Sequence, residues 1–130
     1  MNDQLSFYEA KLTYEIDSWD LYDSLNCGEN IRVIDARSNE AYQFEHIPGS
    51  INLPHRIMSV ENTQNLDKET LYVTYCDGIV CNASTKGAYN LTKLGFKVKE
   101  LMGGLDWWKR DGYQTEGSKA QEGTKITCGC

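Results

Sequence analysis

Thr70-Leu71-Tyr72-Val73-Thr74-Tyr75 runs directly into Cys76, then through Asp77-Gly78-Ile79-Val80-Cys81-Asn82 to the segment 84–94. The first six residues are β-branched, aromatic or aliphatic, and read as the clearest strand in the chain. Segment 84–94 places Ala88, Leu91 and Leu94 on one face and stops at Gly95, the pattern of a helix closed by glycine. Cys76 thus falls at the carboxyl end of a strand, with a short loop leading into a helix. In open α/β sheets, sites lie at that end.

The flanking sequence repeats the alternation. Ile31-Arg32-Val33-Ile34-Asp35 reads as a buried strand, Ser50-Ile51-Asn52-Leu53 as a short strand ended by Pro54, and 97–102 as another. Residues 1–16 read as a short helix or arm followed by a brief strand. Helices are predicted over 19–26, capped by Asp17 or Ser18 and presenting Trp19, Tyr22 and Leu25, over 40–45, and over 105–110 after the Gly103-Gly104 turn. Residues 55–65 read as helical, then polar. Strands alternating with helices predict an α/β fold with a mainly parallel sheet. The chain divides into an N-terminal helical arm (1–13), one domain (14–113) and a polar, Gly-rich tail (114–130) expected to be loosely held.

Composition narrows the function classes. With 130 residues the chain is about one domain. No apolar run approaches the ~20 residues of a membrane helix, and the start resembles no signal peptide, so a cytoplasmic protein is expected. The formal net charge is −6, which leaves no basic excess to draw nucleic acid or anionic lipid, so neither is an expected partner. Any anion site must be local. Five cysteines, Cys27, Cys76, Cys81, Cys128 and Cys130, are an odd number and form no zinc spacing with the two histidines, His46 and His55. No metal site is expected.

Cys76 is the chemical candidate. A free thiol has a pKa of about 8.5, and only the thiolate attacks. Bringing it to about 6.5 requires roughly 2.7 kcal/mol of preferential stabilisation of the anion. Several loop amides can supply that, at ~1.5–3 kcal/mol for each hydrogen bond to a charge. The loop Asp77, Gly78, Ile79, Val80, Cys81, Asn82 contains no proline, so every amide in it is a donor. The competing reading is a buried packing cysteine.

The chain resembles the rhodanese-like sulfurtransferase domain over about residues 14–113. Val33-Ile34-Asp35-Ala36-Arg37 with Glu40 is similar to that family's first signature strand. Tyr42-Gln43-Phe44-Glu45-His46-Ile47-Pro48-Gly49-Ser50-Ile51-Asn52-Leu53-Pro54 resembles its HIPGA-x-N-x-P segment. Tyr75-Cys76 matches its active cysteine, and Gly95-Phe96 with Gly103-Gly104-Leu105-Asp106-Trp107-Trp108 resembles its closing pattern. The resemblance implies a central parallel five-stranded sheet flanked by helices on both faces, and an active loop cradling a persulfide on Cys76. It also implies ping-pong transfer: the Cys76 thiolate takes a sulfane sulfur from a small donor such as thiosulfate. The sulfur then passes to cyanide, a thiol or a protein acceptor, with no cofactor.

The loop departs from the family pattern. Many members carry an arginine five positions after the cysteine, where this chain has Cys81 followed by Asn82, and the loop is about two residues longer. It resembles a variant with a Cys-x4-Cys-Asn loop. Without arginine, thiosulfate is expected to bind less well, which favours a protein or small persulfide as donor. Cys81 either resolves the persulfide as a disulfide or packs at the loop–helix junction. Asp35 and Arg37 are expected to pair and support the scaffold, with Arg37 as the alternative source of the missing cation. His46 is expected to be a scaffold hydrogen-bonder; His55 and Arg56 are left open. Trp107 and Trp108 are expected in core and rim. Cys128 and Cys130 are read as a sulfur-accepting dithiol, an intermolecular metal clip, or incidental. Two other classes compete: a redox-sensing or non-catalytic binding module, and a cysteine-dependent phosphatase. The missing arginine argues against the phosphatase.

Overall fold

The computed structural model describes residues 3–127. Cys128 and Cys130, and the roles considered for them, lie outside the described residues. The elements run α1 (Asp3–Tyr14), β1 (Glu15–Ile16), α2 (Ser18–Asn26), β2 (Ile31–Asp35), α3 (Asn39–Phe44), β3 (Ile51–Asn52), β4 (Leu71–Tyr75), α4 (Ala83–Lys93), β5 (Lys97–Leu101) and α5 (Gly104–Arg110). The strands form one five-stranded sheet in the order β1-β5-β4-β2-β3, with every pairing parallel. Strand β4 lies at the centre, which explains why its residues are almost continuously buried.

Alternation along the strands builds two cores. Val33, Val73 and Tyr75 face one side and pack with Leu21 of α2 and with Leu105 and Trp108 of α5. Ile34 and Tyr72 face the other side and pack with Leu91 of α4 and Phe96. Helices therefore cover both faces, as a parallel sheet requires. By the same alternation Cys76 continues the α4 side of β4. Gly87 lets α4 approach closely, because a Cβ there would lie 3.1 Å from the Ala36 Cβ.

Three sequence expectations are corrected. Residues 55–65 form two short 3-10 turns, His55–Ile57 and Glu61–Thr63, rather than a helix. Pro54 and the reciprocal Ser59–Asn62 hydrogen bonds favour tight turns there. Trp19 is exposed, while Ser18 and Leu21 form the buried stripe of α2. The tail from Gln114 to residue 127 is not loose. Thr115, 1% exposed, donates to the buried Glu45 carboxylate at 2.6 Å. Ser118 and Lys119 amides donate to the Gln43 and Phe44 carbonyls, and His46 and Glu116 exchange backbone bonds. Polar composition hid this because the tail is held largely by hydrogen bonds, with Ile126 as an apolar contact to the core.

Candidate active site

The backbone around Cys76 is held from three directions. The Cys76 carbonyl accepts from the Leu105 amide at 2.9 Å, and the Asp77 carbonyl accepts from the Asp106 amide at 2.8 Å. The first turn of α5 thereby fixes the start of the loop. Gly104 makes this possible: its φ is +57°, and a Cβ there would overlap the Cys76 carbonyl oxygen. On the β2 side, the Ala36 amide donates to the Tyr75 carbonyl at 3.1 Å. At the far end the loop passes into α4 at Asn82.

Arg37 clamps the loop to the scaffold. Its Nε and Nη2 donate to the two oxygens of Asp35 at 2.9 and 2.7 Å, a bidentate pair. Nη2 also donates to the Glu45 carbonyl at 2.6 Å, and Nη1 reaches the Asp77 carboxylate at 2.7 Å. Asp35 is fully buried and also accepts from the Tyr75 hydroxyl at 2.8 Å. Burial alone would lower the Arg37 pKa, but the Asp35 and Asp77 carboxylates outweigh it and raise it further. Burial, with the nearby Asp35 charge, raises the Tyr75 phenol, so it stays a neutral donor. Arg37 is thus neutralised by two carboxylates, the pairing expected of it, and is not a free cation for an anionic ligand.

Free positive charge comes from elsewhere. Cys76 lines a cleft of about 390 Å³ together with Arg37, His55, Arg56, Cys81 and Lys86. Arg56 sits on the turn after Pro54 and Lys86 on the first turns of α4. Burial, then the charges of Lys86 and Arg56, lower the pKa of His55, which keeps its imidazole neutral near pH 7. The sequence marks His55 and Arg56 without assigning them a role. Lys86, four residues beyond Asn82 in sequence, lines the cleft from α4. Proximity to Pro54 was the available signal for the first two.

The sulfur itself differs from an exposed, free thiolate. Cys76 is 1% exposed and disulfide-bonded to Cys81, with the two Cα atoms 6.1 Å apart. The Cys81 amide donates to the Gly78 carbonyl at 3.3 Å, a turn that folds the loop back over Cys76. Among the described residues, no protein acceptor meets the amides of Gly78, Ile79 and Val80. Ile79 and Val80 project into solvent. The ligand atoms of Cys76, Asp77 and Cys81 lie within 4.8 Å of one another, but the disulfide leaves neither sulfur as a thiolate ligand.

The remaining marked residues fall into scaffold roles. His46 stacks on Tyr42 at 3.8 Å and bonds the Tyr42 carbonyl through Nδ1 at 2.7 Å. Trp108 is fully buried. Trp107 is partly exposed and lines a second cleft beside the loop with Gly78, Ile79, Cys81 and Met102. Cys27 is exposed and free.

A parallel five-stranded sheet with helices on both faces, whose central strand delivers a cysteine into a loop that opens a helix, defines the α/β class of the domain. The rhodanese-like domain family matches residues 19–111, and the chain belongs to it. The thiosulfate sulfurtransferase GlpE of Coxiella burnetii is 30% identical over 95 residues, covering 72% of this chain and 82% of that protein. The adenylyltransferase and sulfurtransferase uba4 of Ogataea parapolymorpha is 30% identical over 79 residues, 60% of this chain; that stretch is 20% of uba4's own length. Among solved structures, the BH2092 protein of Bacillus halodurans superposes with a TM-score of 0.85 at 40% identity, covering 92% of this chain and 88% of the other. Among the described residues no helix is long and apolar enough to cross a membrane.

Proposed function

We propose that the protein is a sulfurtransferase that carries a sulfane sulfur as a persulfide on Cys76, in a Cys-x4-Cys-Asn variant of the family's active loop. The observation that supports this most is the placement of Cys76 in a cleft ringed by Arg56, Lys86 and neutral His55. These two cations draw an anionic sulfur donor toward the cysteine. The unpartnered amides of Gly78, Ile79 and Val80 are donors for an anion on the loop. GlpE and uba4, both sulfurtransferases by name, support the same reading.

The reaction runs in two halves on one sulfur. The Cys76 thiolate attacks the sulfane sulfur of thiosulfate, the bond to the sulfonate sulfur breaks, and sulfite leaves with the electron pair. The outer sulfur of the Cys76 persulfide then passes to an acceptor: cyanide, a small thiol or a protein cysteine. The Cys76–Cys81 disulfide must be reduced first, and a reducing cytoplasm is the compartment we assign.

A donor–acceptor panel on reduced protein tests the proposal: thiosulfate or inorganic polysulfide as donor, cyanide or a dithiol as acceptor. Transfer is expected with at least one pair and is abolished by Cys76→Ser. Transfer that survives Cys76→Ser overturns the assignment. The disulfide also favours a second reading, a redox-sensing module, which predicts reversible Cys76–Cys81 oxidation with no transfer from any donor.

A further inference from the structure

We propose that Cys81 is a resolving cysteine. Its thiolate attacks the Cys76 persulfide, releases the carried sulfur as hydrogen sulfide, and leaves a disulfide that an external dithiol reduces. This rests on Cys76 being the persulfide carrier.

Geometry limits the choice of target atom. Cys81 is bonded to the Cys76 Sγ, which is the inner sulfur of a Cys76 persulfide. The Cα separation of 6.1 Å lies within the ordinary range for a bridged pair, so bonding needs no backbone movement. Both ends of the loop are fixed. The first turn of α5 and Arg37 hold Cys76 and Asp77, and α4 begins just after Asn82. The Gly78–Cys81 turn spends the loop's extra residues on Ile79 and Val80, which face solvent, and returns Cys81 to Cys76. A loop built only to cradle a persulfide has no need of a thiol at that point.

The chemistry balances. The Cys81 thiolate forms a bond to the Cys76 Sγ, the bond to the outer sulfur breaks, and that sulfur leaves with the electron pair as hydrosulfide. Hydrosulfide is the better leaving group, because hydrogen sulfide is more acidic than an ordinary thiol. The disulfide then needs two electrons, supplied by a dithiol. Over one cycle, thiosulfate and a dithiol become sulfite, hydrogen sulfide and a disulfide.

The two clefts divide the work. Cys76 lines the cationic cleft, where the sulfur donor enters. Cys81 lines that cleft and also the second one, beside Ile79, Met102 and Trp107. With Cys76 buried and Cys81 partly exposed, the external dithiol reaches the Cys81 sulfur, and Cys76 leaves as the thiolate that begins the next cycle.

The test uses the full chain, reduced and freed of reductant under anaerobic conditions, then given excess thiosulfate with no thiol. Wild type is expected to release one equivalent of sulfite and one of sulfide and then stop. Its intact mass should fall by two hydrogens, and peptide mapping should find Cys76 joined to Cys81. Adding a dithiol should restart sulfide release. In Cys81→Ser, sulfide is expected to drop from one equivalent to none until thiol is added, with one extra sulfur retained on the protein. The wild-type stoichiometry and mapping stand even if that variant folds poorly. Sulfite without sulfide from wild type, or a persulfide found on Cys81, overturns the resolving role and leaves Cys76 as carrier. Absence of sulfite from wild type with thiosulfate, together with no sulfur uptake from inorganic polysulfide, overturns both.

Discussion

Replacing Arg37 with methionine removes the guanidinium but keeps a side chain of similar length. Five hydrogen bonds disappear: two to Asp35, one each to the Glu45 and Ala41 carbonyls, and one to Asp77. Asp35 is fully buried and keeps only the Tyr75 hydroxyl and the backbone N–H of residue 37. A buried carboxylate stripped of its cation costs about 3–5 kcal/mol. For a chain this size that lowers Tm by roughly 10–20 °C. The same arginine also pairs with Asp77, whose side chain is 71% exposed. Water screens that contact, so Asp77→Asn costs under about 1 kcal/mol. Urea denaturation at pH 7 checks the contrast through the midpoint at constant slope. Adding Asp35→Leu to Arg37→Met should recover most of the loss, because no buried charge then remains. An Arg37→Met penalty no larger than that of Asp77→Asn would refute the reasoning.

Gly104→Ala forces a Cβ onto the Cys76 carbonyl at a positive φ; strain of ~1–2 kcal/mol from the backbone alone is expected, with a larger total from the overlap. Thermal denaturation with a transfer assay should show both stability and activity falling together. Lys86→Gln with Arg56→Gln should slow sulfur uptake from thiosulfate and flatten its salt dependence, while a neutral trisulfide donor is affected far less; equal losses for both donors contradict electrostatic attraction. His55 has a pKa lowered in the folded state, first by burial and then by Lys86 and Arg56. The unfolded chain therefore binds more protons between that lowered value and about 6.5, so stability rises with pH across this window. His55→Gln should remove that part of the slope in denaturation curves measured from pH 5 to 8.

Much of this architecture was legible because local signals agreed. The Leu71–Tyr75 strand is dense in β-formers, Gly95 closes the helix before β5, and Gly103-Gly104 marks the turn whose second glycine touches the Cys76 carbonyl. The Asp35–Arg37 pairing was likewise readable, as two residues of opposite charge on one side of a strand end. The tail was not readable, since Thr115, Ser118 and Lys119 dock through hydrogen bonds that periodicity does not encode. Nor was the cleft's charge. Lys86 belongs to α4 in sequence and to the cleft in space, and only the path of the loop between Cys76 and Ala83 joins the two. The spacing of Cys76 and Cys81 allowed a bridge, but whether the intervening residues fold back depended on the Gly78–Cys81 turn.

Intact-mass spectrometry of the reduced Cys81→Ser protein after treatment with a sulfane donor, followed by peptide mapping, addresses the role of Cys76 most directly. One added sulfur located on residue 76, and none in the Cys76→Ser/Cys81→Ser double variant, is the expected result. A protein that takes up no sulfur, or carries it on Cys27 instead, contradicts a persulfide mechanism at the end of β4.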